Sequence, residues 1–403
     1  MVLENSMDAP KSSRQVQDKL YRDIKNSEKG ITQTQSVADE ILYVLNQLEK
    51  NPFVQEVTMS KGSDPVIILY THEQLLDLQK NCIGSDGSII CVDRTFNLGK
   101  VFVTALCYKN RCVIRRKTDS YPVILGPLCL HWDGEKSTYH KFFSHLRSKL
   151  NSMDLTFCTD DERALRNALS NNFPQSDFLL CTKHLKDNIR DHLGKKDGCS
   201  LKERENIVRA IFSEEEGLVF SKNDVEFLQR EDDLSIYFQK YPLFKTYYDK
   251  HLHGKLKDYV YIPLRNGTVS CLWTTNNSES MNNRLKKASD WKQLKLPELI
   301  ERLSSVSKCH TMDLRRSLYG LGNYKLFGQS VRHLVTENSW HQKTPTEKKR
   351  HFLKFLTSVL RQERENGPFF LSSDGDFQCK SPRLGAGKSQ TRVNDVEQRE
   401  HVF

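Results

Sequence analysis

A chain of 403 residues is long enough to bury a sizeable core and to hold one enlarged domain or two, so size imposes no need for disulfide or metal staples. Lys and Arg number 61 against 51 Asp and Glu, and the resulting net charge of +10 favours a polyanionic partner without saying which one. No apolar run approaches a membrane span, MVLENSMDAPKSS carries no signal pattern, and Cys82, Cys91, Cys107, Cys129, Cys158, Cys181 and Cys271 lie in or beside apolar runs; the expectation is a soluble, intracellular chain in a reducing compartment.

Residues 1–85 read as an N-terminal lead-in. The first thirty residues are polar and charged, with too little apolar material for a core, and are expected to be disordered. Two short helices follow, Ser36–Leu48 with Val37, Ile41, Leu45 and Leu48 at helical spacing, and Thr71–Cys82 with Leu75, Leu76 and Leu78 inside.

From Ser88 the pattern changes to the β-rich runs SIICVD, VFVTALCY and PVILGPLCL, whose succession predicts an antiparallel meander. Between the last two, NRCVIRRKTDSY reads as an exposed loop carrying Arg111, Arg115, Arg116 and Lys117, either a charge-protected edge or a phosphate contact. Tyr139, Phe142, Phe143, Leu146 and Leu150 define an amphipathic helix lying on the sheet. Then come the strand LTFCTD, a helix through ERALRNAL, the strand FLLC and a helix CTKHLKDNIRDHL whose outer face carries Lys183, Lys186 and Arg190. Strand and helix alternating after a meander make residues 86–194 the first part of an α/β core with a mixed sheet flanked by helices.

Residues 195–270 are helical and aromatic, an all-helical insertion interrupting that core. Residues 271–325 end the core with a helix opening at TTNNSESMNNRLKK and another from Leu296 with Pro297 in its first turn. Residues 326–403 read as a helical extension, Thr346–Leu360, and a disordered tail.

Three acids carry the chemistry: Asp93 and Asp160, each closing a strand, and Glu279 in the first turn of a helix. Each has a plain structural reading. An Asp after a strand is a common turn former, and Asn276-x-x-Glu279 approximates a capping box. Taken jointly they would meet at one sheet edge, where open α/β sheets place ligands and where carboxylates can share divalent metal for phosphoryl transfer. Hard oxygen ligands suit Mg²⁺ or Mn²⁺.

In order and spacing, IICVDRTF, LTFCTDDERALRNAL, CTKHLKDNI and TTNNSESMNNRLKK resemble the DDE transposase core of the Mutator-like element superfamily, over about Asp93 to Tyr324. The resemblance implies an RNase H-like fold and a metal-binding triad of Asp93, Asp160 and Glu279 with two divalent ions. In the family pattern an Ala follows the second Asp by four positions, so Ala164 selects Asp160, with Asp161 as the fallback. Cys181-x-x-His184 matches a Cys-x-x-His of the superfamily and places His184 near the active centre, although two such residues alone make no closed zinc site.

The implied activity is DNA strand cleavage at element ends and transfer of the 3′-hydroxyl to target DNA, in the nucleus. Lys183, Lys186, Arg190, Arg284, Lys286 and Lys287 are candidate backbone contacts. The implied partner is DNA, with a homo-oligomer left open and no membrane. Only Cys379 follows Tyr324, so the zinc finger that many relatives carry there is not found, and a truncated or host-adopted derivative, or a non-catalytic DNA-binding regulator, stays open.

Overall fold

The computed structural model describes residues 36–46, 50–60, 63–84, 87–150, 154–261 and 272–358, and the backbone of 370–371 and 377–378. The expected disorder of the first thirty residues and of the tail lies outside the described residues. What is described falls into two compact units, one drawn from 1–185 and 274–361, the other from 186–273 and 362–403.

The first unit contains a seven-stranded mixed sheet flanked by helices, an α/β architecture. Its strands begin earlier than the sequence predicts. The lead-in, expected to hold only short helices, also holds an antiparallel hairpin, β1 (Val54–Ser60) and β2 (Ser63–Leu69). In β2 the apolar run is only Val66 to Leu69, too short for periodicity to separate strand from helix, and pairing with β1 and β6, which buries all four residues, decides the matter.

The meander follows as predicted: β3 (Ile90–Thr95), β4 (Phe102–Lys109) and, after the short β5 (Val113–Arg115), β6 (Val123–His131). The loop expected to be exposed instead forms β5, pairing with β9 (Tyr324–Leu326) and burying Cys112, Val113 and Ile114. Its Arg116 donates to the carbonyl oxygens of Gly320 at 2.6 Å and Gly322 at 3.1 Å, so that cation braces backbone. Two parallel strands, β7 (Thr156–Thr159) and β8 (Asp177–Leu180), complete the order β1-β2-β6-β4-β3-β7-β8.

Strand alternation sorts side chains onto two faces. On one, Ile90, Val92, Leu106 and Tyr108 join Leu78, Phe142, Phe143, Leu165 and Phe173 in the main core, each fully buried large side chain stabilising by about 1.5–3 kcal/mol. The C-terminal helix Pro345–Thr357, opened by a Thr344–Glu347 capping box, adds Phe352, Phe355 and Leu356 to the same core. On the other face, Cys91, Asp93 and Cys107 look toward the helix Asn276–Ala288, whose Ser278 Oγ lies 3.5 Å from Cys107 Sγ. The side chains of Cys82, Cys91, Cys107, Cys112, Cys129, Cys158, Cys181 and Cys199 are buried, as small apolar groups are.

The linker after that helix is tied to the sheet. Leu294 N–H donates to Leu98 O at 2.8 Å, and a Cβ on Gly99 would stand 2.9 Å from Leu294 O, so this close approach requires glycine. The next helix, Leu296–Ser317, has its first N–H capped by Glu40 Oε2 at 2.7 Å from the helix Val37–Asn46.

The second unit is helical over Leu201–Phe212, Asp224–Asp233, Ser235–Lys240, Pro242–Tyr247 and His253–Tyr259. Ser200 and Asn223 cap the first two, and Ile207, Ile211, Phe227, Phe244, Tyr248 and Leu256 are buried. Among the described residues no helix is long and apolar enough to cross a membrane.

Candidate active site

The parallel pairing of β3 with β7 sets the site. Val92 is in register with Thr159, which brings Asp93 level with Asp160. Asp160 follows the end of β7, but Asp93 does not close its strand as the sequence predicts: β3 runs on to Thr95, because Arg94 and Thr95 stay paired with Thr104 and Val103 of β4. Asp93 is half-buried, and that burial, with the Asp160 charge adding to it, pushes its carboxyl up to about 6 against the pull of the Arg94 backbone N–H, His184 and Asn282. Asn282 Nδ2 donates to Asp93 Oδ2 at 2.8 Å from the Asn276–Ala288 helix.

The two acids of Thr-Asp-Asp separate here. Asp160 is felt by Asp93 and His184, and its Oδ1 accepts the Glu162 N–H at 3.4 Å. Asp161 turns to the following helix, its Oδ1 3.4 Å from Arg166 Nη2.

Glu279 stands on the same helix as Asn282, one turn earlier. Its N–H bonds to Thr275 O, the helix has no side-chain N-cap, and Lys183 Nζ lies 2.8 Å from both Glu279 oxygens. The capping-box reading of Glu279 is therefore corrected: its carboxylate serves an ion pair across to the start of the helix Thr182–Lys195. His184 Nε2 is 4.0 Å from Glu279 Oε1. The approach of the Cys181 side chain, then the charges of Cys181, Asp160 and Asp93, raise the His184 imidazole to about 9 against the opposing effect of burial. Its Nδ1 is buried without a hydrogen-bond partner among the described residues. Burial alone would push the Cys181 thiol up, but His184 and donation from Thr275 N at 3.3 Å and Oγ1 at 3.2 Å outweigh it and hold it below the ordinary range.

His184 thus links the three acids: it senses Asp93 and Asp160 and approaches Glu279. In this arrangement, among the described residues, no group of three or more His, Cys, Asp or Glu closes around a metal position.

Sequence reasoning passed over several neighbours. Glu162 accepts from Tyr139 OH at 2.8 Å and lies 3.4 Å from Arg94 Nη2; burial raises its carboxyl, and Asp160 adds to the rise. The run Asp160-Asp-Glu162 was its visible signal. Arg94 follows Asp93 directly, but Tyr139 comes from the amphipathic helix and Asn282 only looked like a polar helix residue.

The six cationic candidates do not form one free stripe. Lys183 is occupied by Glu279. In the second unit, Lys186 lies 5.3 Å over the Phe212 ring with its pKa lowered by burial, and Arg190 holds Glu205 through Nε at 2.7 Å and Nη2 at 3.0 Å and Asp187 through Nη1 at 2.9 Å. Lys286 lies 5.6 Å over the Phe96 ring, whereas Arg284 and Lys287 are exposed.

The fold thus sets one acid within a central strand, one just past the end of its parallel neighbour and one on an adjacent helix. Residues 118–298 match the family model described as Transposase, Mutator family, which supports a transposase function. The matched span contains Asp160, Cys181, His184 and Glu279, and Asp93 lies upstream of it. No curated protein matches the chain.

Proposed function

We propose that the chain is a Mutator-type DNA transposase with an RNase H-like catalytic core, in which Asp93, Asp160 and Glu279 bind two divalent ions, Mg²⁺ or Mn²⁺. The observation that carries this reading is the Asp93–Asp160 pair, brought level by the parallel pairing of β3 with β7, where the half-buried Asp93 carboxyl is raised to about 6 by burial and by the charge of Asp160. The strand order supports it too: the five strands of this sheet that follow Ile90 lie side by side in the order 3-2-1-4-5, with only the second antiparallel to the rest.

The donor chemistry fits the ions. Two half-buried carboxylates stand together, Asn282 on Asp93 being their one side-chain amide donor among the described residues, and hard oxygen ligands of this kind suit Mg²⁺ or Mn²⁺. Glu279 joins them only on leaving Lys183. Bound ions would supply charge neutralisation and an activated oxygen nucleophile. The chain's own part is to hold Asp93 through Asn282, to keep Asp160 beside it, and to place the His184 cation among the acids. The reaction is hydrolysis of a phosphodiester at an element end, then attack of the freed 3′-hydroxyl on target DNA; a DNA substrate places this work in the nucleus.

A second reading, a transposase-derived DNA-binding regulator without catalysis, is favoured by the Lys183–Glu279 pair, which occupies the third acid. Nicking and strand joining with Mn²⁺ on DNA bearing the flanking repeats of the source locus separates the two. Activity in the wild type that is lost in Asp160→Asn supports the transposase. Binding without cleavage in both proteins supports the regulator.

A further inference from the structure

Away from the acids, a cleft of about 570 Å³ opens between the end of the Leu296–Ser317 helix and the start of the Pro345–Thr357 helix, within the range of small-ligand clefts, about 300–1,000 Å³. Its apolar wall is Tyr319, Trp340 and Met312. The Tyr319 and Trp340 rings stack with centroids 4.9 Å apart and planes at 16°; Trp340 is buried and backs Tyr319, while Met312 is 52% exposed. Around that wall stand Arg315, Arg316, Lys348 and Lys349, and no carboxylate lines the cleft among the described residues.

The cations are poorly neutralised. Arg315 alone of the four has a carboxylate in reach among the described residues, Glu73 at 3.4 Å, and its Nε is buried without a hydrogen-bond partner. Arg316 and Lys349 are exposed, and among the described residues Lys348 reaches only the His341 carbonyl, at 3.5 Å. Like charges gathered on an apolar cleft repel one another, and an anion with a flat apolar part relieves both the repulsion and the exposed surface.

We infer that this cleft binds an unpaired nucleotide of a DNA strand, with phosphates on the four cations and a base against the Tyr319–Trp340 stack. A duplex keeps its base faces covered, whereas a single strand offers them to aromatic platforms beside a cationic track. An acidic peptide matches the charge but not the flat aromatic wall. The cleft does not involve the proposed ion-binding acids, and the choice of DNA as the strand rests on the transposase reading.

The test uses the full chain in EDTA, so that no divalent ion contributes, with a short fluorescein-labelled oligothymidylate, its abasic counterpart, and polyglutamate as competitor. The exposed pair Arg316→Glu with Lys349→Glu is expected to weaken oligothymidylate binding at least tenfold and to flatten its log–log salt slope by roughly 1.4, two phosphate contacts on a single strand. The abasic strand is expected to bind roughly five- to 150-fold more weakly for each stacked base, and 5-iodouracil in the oligonucleotide to photocrosslink to Tyr319 or Trp340 of the wild-type chain. The inference is overturned if the double charge reversal leaves affinity within about twofold, if the abasic strand binds equally well, if polyglutamate displaces the oligonucleotide as effectively at equal charge, or if the crosslink maps elsewhere.

Discussion

Lys183 Nζ lies 2.8 Å from each carboxylate oxygen of Glu279, joining the first turns of two helices, Thr182–Lys195 and Asn276–Ala288. A lysine opposes the positive end of a helix dipole and a carboxylate favours it, so the pair lets Glu279 offset the unfavourable placement of Lys183. The same contact holds Glu279 on a protein cation, beside the Asp93–Asp160 pair linked to it through His184.

Because the pair is partly exposed, 46% for Lys183 and 37% for Glu279, its loss costs about 1 kcal/mol or less. Glu279→Gln is therefore expected to leave the melting transition almost unchanged while abolishing Mn²⁺-supported nicking, and Lys183→Met to tighten Mn²⁺ binding by calorimetry. Full nicking by Glu279→Gln would remove Glu279 from the proposed site.

Asp93 stores instability that its partners do not relieve. Its folded-state carboxyl is raised to about 6, above the ordinary value near 3.8, so the folded chain keeps that proton to higher pH than the unfolded chain does. Below about pH 4 both states are protonated and Asp93 costs nothing; the cost grows as pH rises from 4 to 6 and is complete above that. At about 1.4 kcal/mol for each pH unit, it approaches ~3 kcal/mol at neutral pH. Asp93→Asn is expected to raise stability at pH 7.5, with the gain shrinking toward pH 4 in urea titrations, and to lose cleavage. A variant less stable than wild type at pH 7.5 contradicts the buried-charge account.

The meander, the amphipathic helix at Tyr139 and both parallel strands were legible because their apolar residues repeat at the period of the element they form. Less of the edges was legible. The β1–β2 hairpin depends on pairing with β6, and β5 depends on Tyr324–Leu326 more than two hundred residues away, so tertiary contacts decided what local pattern could not. At the site, the position of Asp160 after a strand could be read, since it closes an apolar run; Asp93 was expected to close its strand too, but pairing of Arg94 and Thr95 with β4 carries β3 beyond it. Asn282, Tyr139 and the Lys183–Glu279 pair could not, because side chains from three separate segments meet there only after folding.

His310 gives the fold an acid limit remote from these residues. It is buried, its Nδ1 accepts the Leu125 N–H at 3.2 Å, and burial, followed by the charges of Arg284 and Arg115, lowers its pKa to about 3. The unfolded imidazole takes its proton below about 6.5 and the folded one does not, so this contribution is whole above pH 6.5 and falls as pH drops toward 3, by at most about 1.4 kcal/mol per pH unit. His310→Leu leaves Leu125 N–H unpaired and is expected to cost about 1–3 kcal/mol at pH 7.5. Its stability should then decline less steeply than that of wild type between pH 6.5 and 4.5; parallel curves would rule out His310 as the source.

Asp160 and Asp161 are adjacent in sequence and opposite in circumstance, which makes them a test of the site at single-residue resolution. Asp160 places its charge beside Asp93 and His184, whereas Asp161 lies 3.4 Å from Arg166 on the helix that follows. Asp160→Asn removes the like charge next to Asp93, so the Asp93 carboxyl should titrate lower, readable by carbon-13 NMR of labelled aspartate, and nicking should cease. Asp161→Asn breaks a partly buried ion pair, so it should lower stability without moving the Asp93 titration or the cleavage rate by more than about twofold. The reverse pattern, with nicking lost on changing Asp161 and kept on changing Asp160, would transfer the proposed ligand role to the neighbouring residue.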